Sequence, residues 1–135
     1  MDANEAATKL DGSEYREEGS RELFAAMKEA GLVAVFGASD DLMEFRGAEN
    51  DEIGAYNGGR AYFTRKGLLR NECEDDDCPY HAKARKAAAV VNAVWDEGGL
   101  SWSYRTEIPH ETFTVYEDGE PYCRGIVFAL SDVPD

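Results

Sequence analysis

Positive charge is scarce in this sequence. Lys and Arg number 14 against 28 Asp and Glu in 135 residues, a formal net charge of -14. Wrapping a nucleic acid requires Lys and Arg to neutralise its phosphates, so binding DNA or RNA with the surface as a whole is excluded. Long apolar runs are missing too. None approaches the roughly 18 residues a membrane-spanning helix needs, and no membrane partner is expected. Cysteine is sparse and odd in number, with Cys73, Cys78 and Cys123, which disfavours a disulfide framework. The start, Met1-Asp2-Ala3-Asn4-Glu5, lacks the basic residues and apolar stretch of a secretory signal, so the expected location is the cytoplasm. The Walker phosphate loop, the dinucleotide fingerprint, Gly-x-Ser-x-Gly, His-Glu-x-x-His and the zinc deaminase pattern are all absent, and the expectation is a protein that is not an enzyme.

Enough apolar material is present to fold. Hydrophobic residues make up 43%, beyond what a disordered chain carries, and the length suits one domain. Residues 1–18 are polar and acidic and read as a loose arm with room for some helix, with a single α+β domain over 19–135. Ser20 is a good N-cap, Leu23, Phe24 and Met27 recur at helical spacing, and Gly31 supplies a left-handed stop, so residues 21–30 are expected as a helix. The continuous apolar run 32–36 reads as a buried strand, and 42–46 as a second. Residues 50–52 read as loop. Asn57-Gly58-Gly59 between the apolar stretches 53–56 and 61–63 is a hairpin signal. Pro79 suits a helix first turn, and Ala84, Ala87, Ala88, Val91, Val94 and Trp95 share one helical stripe. A second helix running from about residue 78 to Gly98-Gly99 is therefore expected. Alternation in 100–105, 112–116 and 122–130, with Asp118-Gly119 as a turn, completes an antiparallel meander. The expected whole is one mainly antiparallel sheet of five to six strands with two helices packed on one face.

The charge has a shape. Glu72, Glu74, Asp75, Asp76 and Asp77 form one acidic zone, and Glu117, Asp118 and Glu120 belong to another. Carboxylates displayed on a rigid body can occupy a basic groove on a partner by imitating a nucleic-acid backbone. The same aspartates can also serve only solubility and the capping of a helix N-terminus. Arg60, Arg65, Lys66 and Arg70 form the opposite pole. With Lys83 or Lys86 they could hold a phosphate or a nucleotide by charge-assisted hydrogen bonds, or they could simply pair with the acidic segments.

Cys73, Cys78 and His81 cluster at the start of the second expected helix, with Cys123 on the last strand. Three thiols and an imidazole match a tetrahedral zinc site. Against this, zinc motifs usually show two paired knuckles, and free cysteine is often a small core residue. Asp40, Asp41 and Glu44 could bind Mg²⁺ as paired carboxylates, but a turn role suits them better.

The stretches Gly31-Leu-Val-Ala-Val-Phe-Gly-Ala-Ser-Asp-Asp-Leu-Met-Glu-Phe-Arg-Gly47, Asn71-Glu-Cys-Glu-Asp-Asp-Asp-Cys-Pro-Tyr80 and Tyr116-Glu-Asp-Gly-Glu-Pro-Tyr-Cys-Arg-Gly-Ile-Val-Phe128 resemble a group of small acidic proteins encoded in bacteriophages and prophages. The resemblance covers about residues 20–130 and carries no assigned activity. It implies a setting in a host cell, where small acidic phage proteins often resemble inhibitors of host machinery, anti-CRISPR proteins among them. The leading expectation is thus a non-enzymatic phage accessory protein that binds a host nucleic-acid-handling or defence protein through Glu72, Glu74, Asp75, Asp76, Asp77, Glu117, Asp118 and Glu120. One alternative is a binder that sequesters a signalling nucleotide at Arg60, Arg65, Lys66 and Arg70. Another is a module of a phage complex stapled by zinc at Cys73, Cys78, His81 and Cys123.

Overall fold

The computed structural model describes residues 1–14, 20–39, 42–54, 59–70, 78–96 and 101–134; for 38, 39, 95, 96, 101 and 102 it describes the backbone alone. Among these residues the helices are α1 (Ala3–Leu10), α2 (Arg21–Glu29) and α3 (Pro79–Lys86), with a 3₁₀ turn at Leu130–Asp132. The strands are β1 (Leu32–Ser39), β2 (Leu42–Gly47), β3 (Asp51–Gly54), β4 (Gly59–Thr64), β5 (Gly67–Leu68), β6 (Ala89–Asp96), β7 (Ser101–Thr106), β8 (Glu111–Glu117) and β9 (Glu120–Ala129). They form two antiparallel sheets, ordered β3-β2-β1-β9-β8 and β5-β4-β6-β7. The fold is α+β as expected, but two sheets replace the single one.

Strand β1 explains the layering. Val33 and Val35 point to one side, where they join Met43 and Phe45 of β2, Ile126 and Phe128 of β9, and Ala61, Phe63, Ala89, Val91 and Ala93 of the smaller sheet. That is the core between the sheets, keyed by edge-to-face contacts of Phe63 with Phe45 at 5.5 Å and with Phe128 at 5.0 Å. Leu32, Ala34 and Phe36 point to the other side, against Ala6, Ala7 and Leu10 of α1 and Met27 of α2. Burial on both faces is why 32–36 is a continuous apolar run and not an alternating one.

Residues 3–14 contain the helix allowed for in the arm, but the segment is packed and not loose. Asp2 caps α1 through its Oδ1, which accepts from the Glu5 N–H at 2.8 Å, and Ala6, Ala7 and Leu10 are buried at helical spacing. The chain then runs along the outer edge of β8: Gly12 N–H donates to the Thr114 carbonyl, Tyr116 N–H to the Ser13 carbonyl, and Thr114 N–H to Asp11 Oδ1, each at 2.8 Å. These bonds cover part of an edge strand that would otherwise offer itself for pairing.

The largest correction concerns the second expected helix. It ends at Lys86, none of its residues is buried, and residues 89–96 form β6, paired with both β4 and β7. The segment fits two periods at once. The helical stripe through Val91 competed with a two-residue alternation in which Ala89, Val91 and Ala93 are buried, and the β-branched valines suit the strand. The expected packing of this helix beside α2 on one face is not confirmed. Residues 51 and 52, expected as loop, belong to β3. Strands β3 and β4 pair in different sheets, so they are not the two arms of one hairpin; residues 55–58 lie outside the described residues. Likewise β7 joins β6, while β8 and β9 form a hairpin in the larger sheet, so the expected three-strand meander is divided between sheets.

Candidate functional site

Where β3, the edge of the larger sheet, meets β4 and β5 of the smaller one, a cleft of about 350 Å³ opens, closed on another side by α3. Its wall is built from four stretches of chain. β3 contributes Asp51, Glu52 and Ile53, β4 contributes Arg60, Ala61 and Tyr62, and the β5 segment contributes Leu68, Leu69 and Arg70. From α3 come His81 and Arg85, four residues apart and therefore on one face. Alternation along β4 directs Ala61 and Phe63 into the core, with Arg60 and Tyr62 left toward solvent.

Glu49 holds the β5 wall in place. It is 8% exposed, its Oε1 accepts from the Leu68 N–H at 2.9 Å, and its Oε2 pairs with Arg70 Nη2 at 2.6 Å. Gly67, with φ +118, lets the carboxylate approach, since a Cβ there would run into Glu49 Oε1. Asp51 Oδ2 takes the Arg70 Nε at 3.3 Å. The hydrogen bond and charge of Glu49, followed by Asp51, push the Arg70 guanidinium further toward its charged form.

Two cleft groups differ from Arg70. Arg60 is exposed, and its side chain makes no hydrogen bond or ion pair among the described residues. His81 Nδ1 is shielded from solvent and lacks a hydrogen-bond partner among the described residues, although its ring meets that of Tyr80 edge-on at 5.4 Å. A shielded polar atom without a partner is a site in want of a ligand atom or a water.

Of the four residues expected to bind an anion, Arg60 and Arg70 line the cleft and the other two do not. Arg65 donates its Nε to the Val133 carbonyl at 2.9 Å, and Lys66 is exposed on the β4–β5 turn. Lys83 and Lys86 are exposed on α3 and also outside the cleft lining. Arg85, Tyr62 and Glu49 were missed. The four-residue spacing of His81 and Arg85 on a helix was the available signal for the first.

The expected zinc set does not assemble among the described residues, where no group of three or more His, Cys, Asp or Glu is placed to hold a metal ion. Cys123 is buried in the helix-side core, its thiol pushed up to about 12 by burial and then by the Glu44 carboxylate. Cys78 is half-buried at the start of α3, and Cys73 lies outside the described residues. Glu44 pairs with Arg46 at 3.4 Å; Asp40 and Asp41 also lie outside them.

The acidic readings divide in the same way. Glu72, Glu74, Asp75, Asp76 and Asp77 fall outside the described residues. Glu117, Asp118 and Glu120 are exposed at the β8–β9 turn, where Asp118 (φ 52) and Gly119 (φ 80) adopt the left-handed pair expected of Asp-Gly. Glu14 clamps this turn by accepting from the Asp118 N–H at 3.0 Å and the Gly119 N–H at 2.9 Å. No described helix is long and apolar enough to cross a membrane. Comparison with protein-family models, curated proteins and solved structures finds no match to this chain.

Proposed function

We propose that the protein binds a small organic anion of the nucleotide class in the cleft between β3, β4, β5 and α3. The observation that supports this is convergence. Arg60, Arg70, Arg85 and His81, drawn from separate segments of an acidic chain, line one concavity together with Ile53, Tyr62, Leu68 and Leu69. An apolar wall with a few convergent polar groups is the composition of a ligand site, and the volume falls at the lower end of the usual range of about 300–1,000 Å³. Guanidinium and imidazole groups recognise phosphate or carboxylate, while the apolar wall suits a planar ring.

Thermal-shift screening with a nucleotide panel tests the reading. A ligand at 100 times its Kd adds about 2.7 kcal/mol of apparent stability, or roughly 5–10 °C for a domain of this size. The shift is expected to fall to under half in Arg60→Ala. Absence of any shift across mono-, di- and triphosphates overturns the proposal.

A second reading, occupation of a partner's basic groove by an acidic face, draws on the β8–β9 turn. Glu14, Glu117, Asp118 and Glu120 are all exposed there on a backbone that Glu14 itself fixes. Such a contact would steer association and weaken with salt. The partner would be a host protein with a basic groove, the setting suggested by the phage resemblance. Neutralising Glu117, Asp118 and Glu120 together is expected to abolish capture of that partner at low salt.

A further inference from the structure

We infer that the cleft selects a ligand with one phosphate group, a nucleoside monophosphate, over its polyphosphate counterparts; this rests on the proposed function above and narrows it. Three guanidiniums line the cleft, yet they are not equivalent. Arg70 is already answered, with its Nη2 on Glu49 Oε2 at 2.6 Å and its Nε on Asp51 Oδ2 at 3.3 Å. Two carboxylates around one guanidinium leave that end of the cleft with an excess of negative charge; Glu52, also at the lining, is paired with Arg46 at 3.9 Å. Arg85 also has a partner of its own, whereas at Arg60 the charge is uncommitted among the described residues. His81 Nδ1 is shielded and without a hydrogen-bond partner among the described residues, so as an N–H donor it meets an entering oxygen with little loss of hydration. These two groups supply donors for one phosphate.

A second or third phosphate has nowhere favourable to go. Extended toward Arg70 it meets the Asp51 and Glu49 carboxylates, and like charges at such short range repel even where water reaches them. Extended outward it leaves the cleft, whose 350 Å³ already has a base and a ribose to hold. Ile53, Tyr62 and Leu68 provide the surface on which the base lies, which separates a nucleotide from a bare sugar phosphate.

Isothermal titration of the full chain with adenosine and guanosine monophosphates, the matching triphosphates, ribose 5-phosphate and inorganic phosphate tests this. At least one monophosphate is expected to bind about tenfold or more tighter than its triphosphate and than ribose 5-phosphate, the scale of a single charge-assisted hydrogen bond. Asp51→Asn, which removes a partly exposed carboxylate, is expected to narrow the gap between mono- and triphosphate at least about threefold; Glu49→Gln, which keeps an acceptor for Leu68, is expected to do the same. A triphosphate that binds as tightly as the monophosphate overturns the inference and leaves the cleft as a nucleotide site. A gap unchanged in both variants, with circular dichroism showing them folded, overturns the role given to the carboxylates and with it the inference. Equal affinity for ribose 5-phosphate overturns the assignment to a nucleotide. No binding by any of the compounds overturns the inference and the proposed function together.

Discussion

Replacing Glu49 by alanine probes the joint that builds the cleft. The substitution removes the acceptor for the Leu68 N–H, now at 2.9 Å, beside the buried Gly67. A donor left without a partner in such a place costs about 1–3 kcal/mol. The lost methylene against Gly67 adds about 0.8 kcal/mol. The ion pair adds little, about 0.5 kcal/mol, because the Arg70 side chain is 54% exposed and water screens it. The sum is about 3 kcal/mol, a large part of the stability of a small domain. Glu49→Gln keeps an oxygen facing Leu68 and forfeits chiefly the charge, for a loss of about 0.5–1 kcal/mol. Urea unfolding followed by circular dichroism, with a common slope for the three proteins, measures both. If Glu49→Ala lies within about 0.5 kcal/mol of the parent, or if Glu49→Gln is as damaging as Glu49→Ala, the hydrogen bond to Leu68 is not what holds the wall, and the reasoning fails.

Other expectations are as direct. Gly125→Ala is expected to cost about 1–3 kcal/mol by overpacking, because a Cβ there would run into the Phe113 ring and approach the Val35 carbonyl oxygen to 2.6 Å; a neutral result in urea unfolding contradicts that packing. Leu10→Ala is expected to cost about 2–4 kcal/mol, and a loss under about 0.5 kcal/mol would return α1 to the status of a loose arm. The fold favours the neutral Cys123 thiol, so its contribution is whole below pH 9.0 and is lost as pH rises toward about 12. Tyr104 and Tyr122, whose hydroxyls burial also pushes up, add to the same alkaline decline. Stability measured from pH 7 to 12 should be flat and then fall, the fall should begin later in Cys123→Ala, and a parent protein that gains stability above pH 9 contradicts the assignment.

Local signals were legible where one physical requirement dominated. α2 follows from the apolar spacing of Leu23, Phe24 and Met27 and from Gly31 (φ 71), whereas Ser20 precedes the helix without capping it through its side chain. The β8–β9 turn follows from Asp118-Gly119, and β1 from its unbroken apolar run. What was hidden depended on partners far away in the chain. Residues 84–95 satisfy a helical stripe and a strand alternation together, and only pairing with β4 and β7 decides for the strand beyond Ala88. α1 is short and poor in large apolar residues; its burial comes from small alanines fitting against β8 and β9. The division into two sheets hinges on β3 and β4 parting company, which the Asn57-Gly58-Gly59 signal argued against. In the cleft, the cationic character of the chain around Arg60 and Arg70 was readable. Glu49, which answers Arg70 from 21 positions away in the chain, left no local pattern to read, and its commitment of Arg70 is a property of the tertiary structure.

The central claim is that this cleft, and not the acidic turn, receives a small anion. A ¹⁵N-resolved NMR titration with a nucleoside monophosphate addresses it residue by residue. The account predicts saturable shifts at Arg60, Tyr62, Leu69, His81 and Arg85, with Glu117, Asp118, Gly119 and Glu120 unmoved. Shifts confined to the β8–β9 turn, or a spectrum unchanged at millimolar ligand, would contradict it.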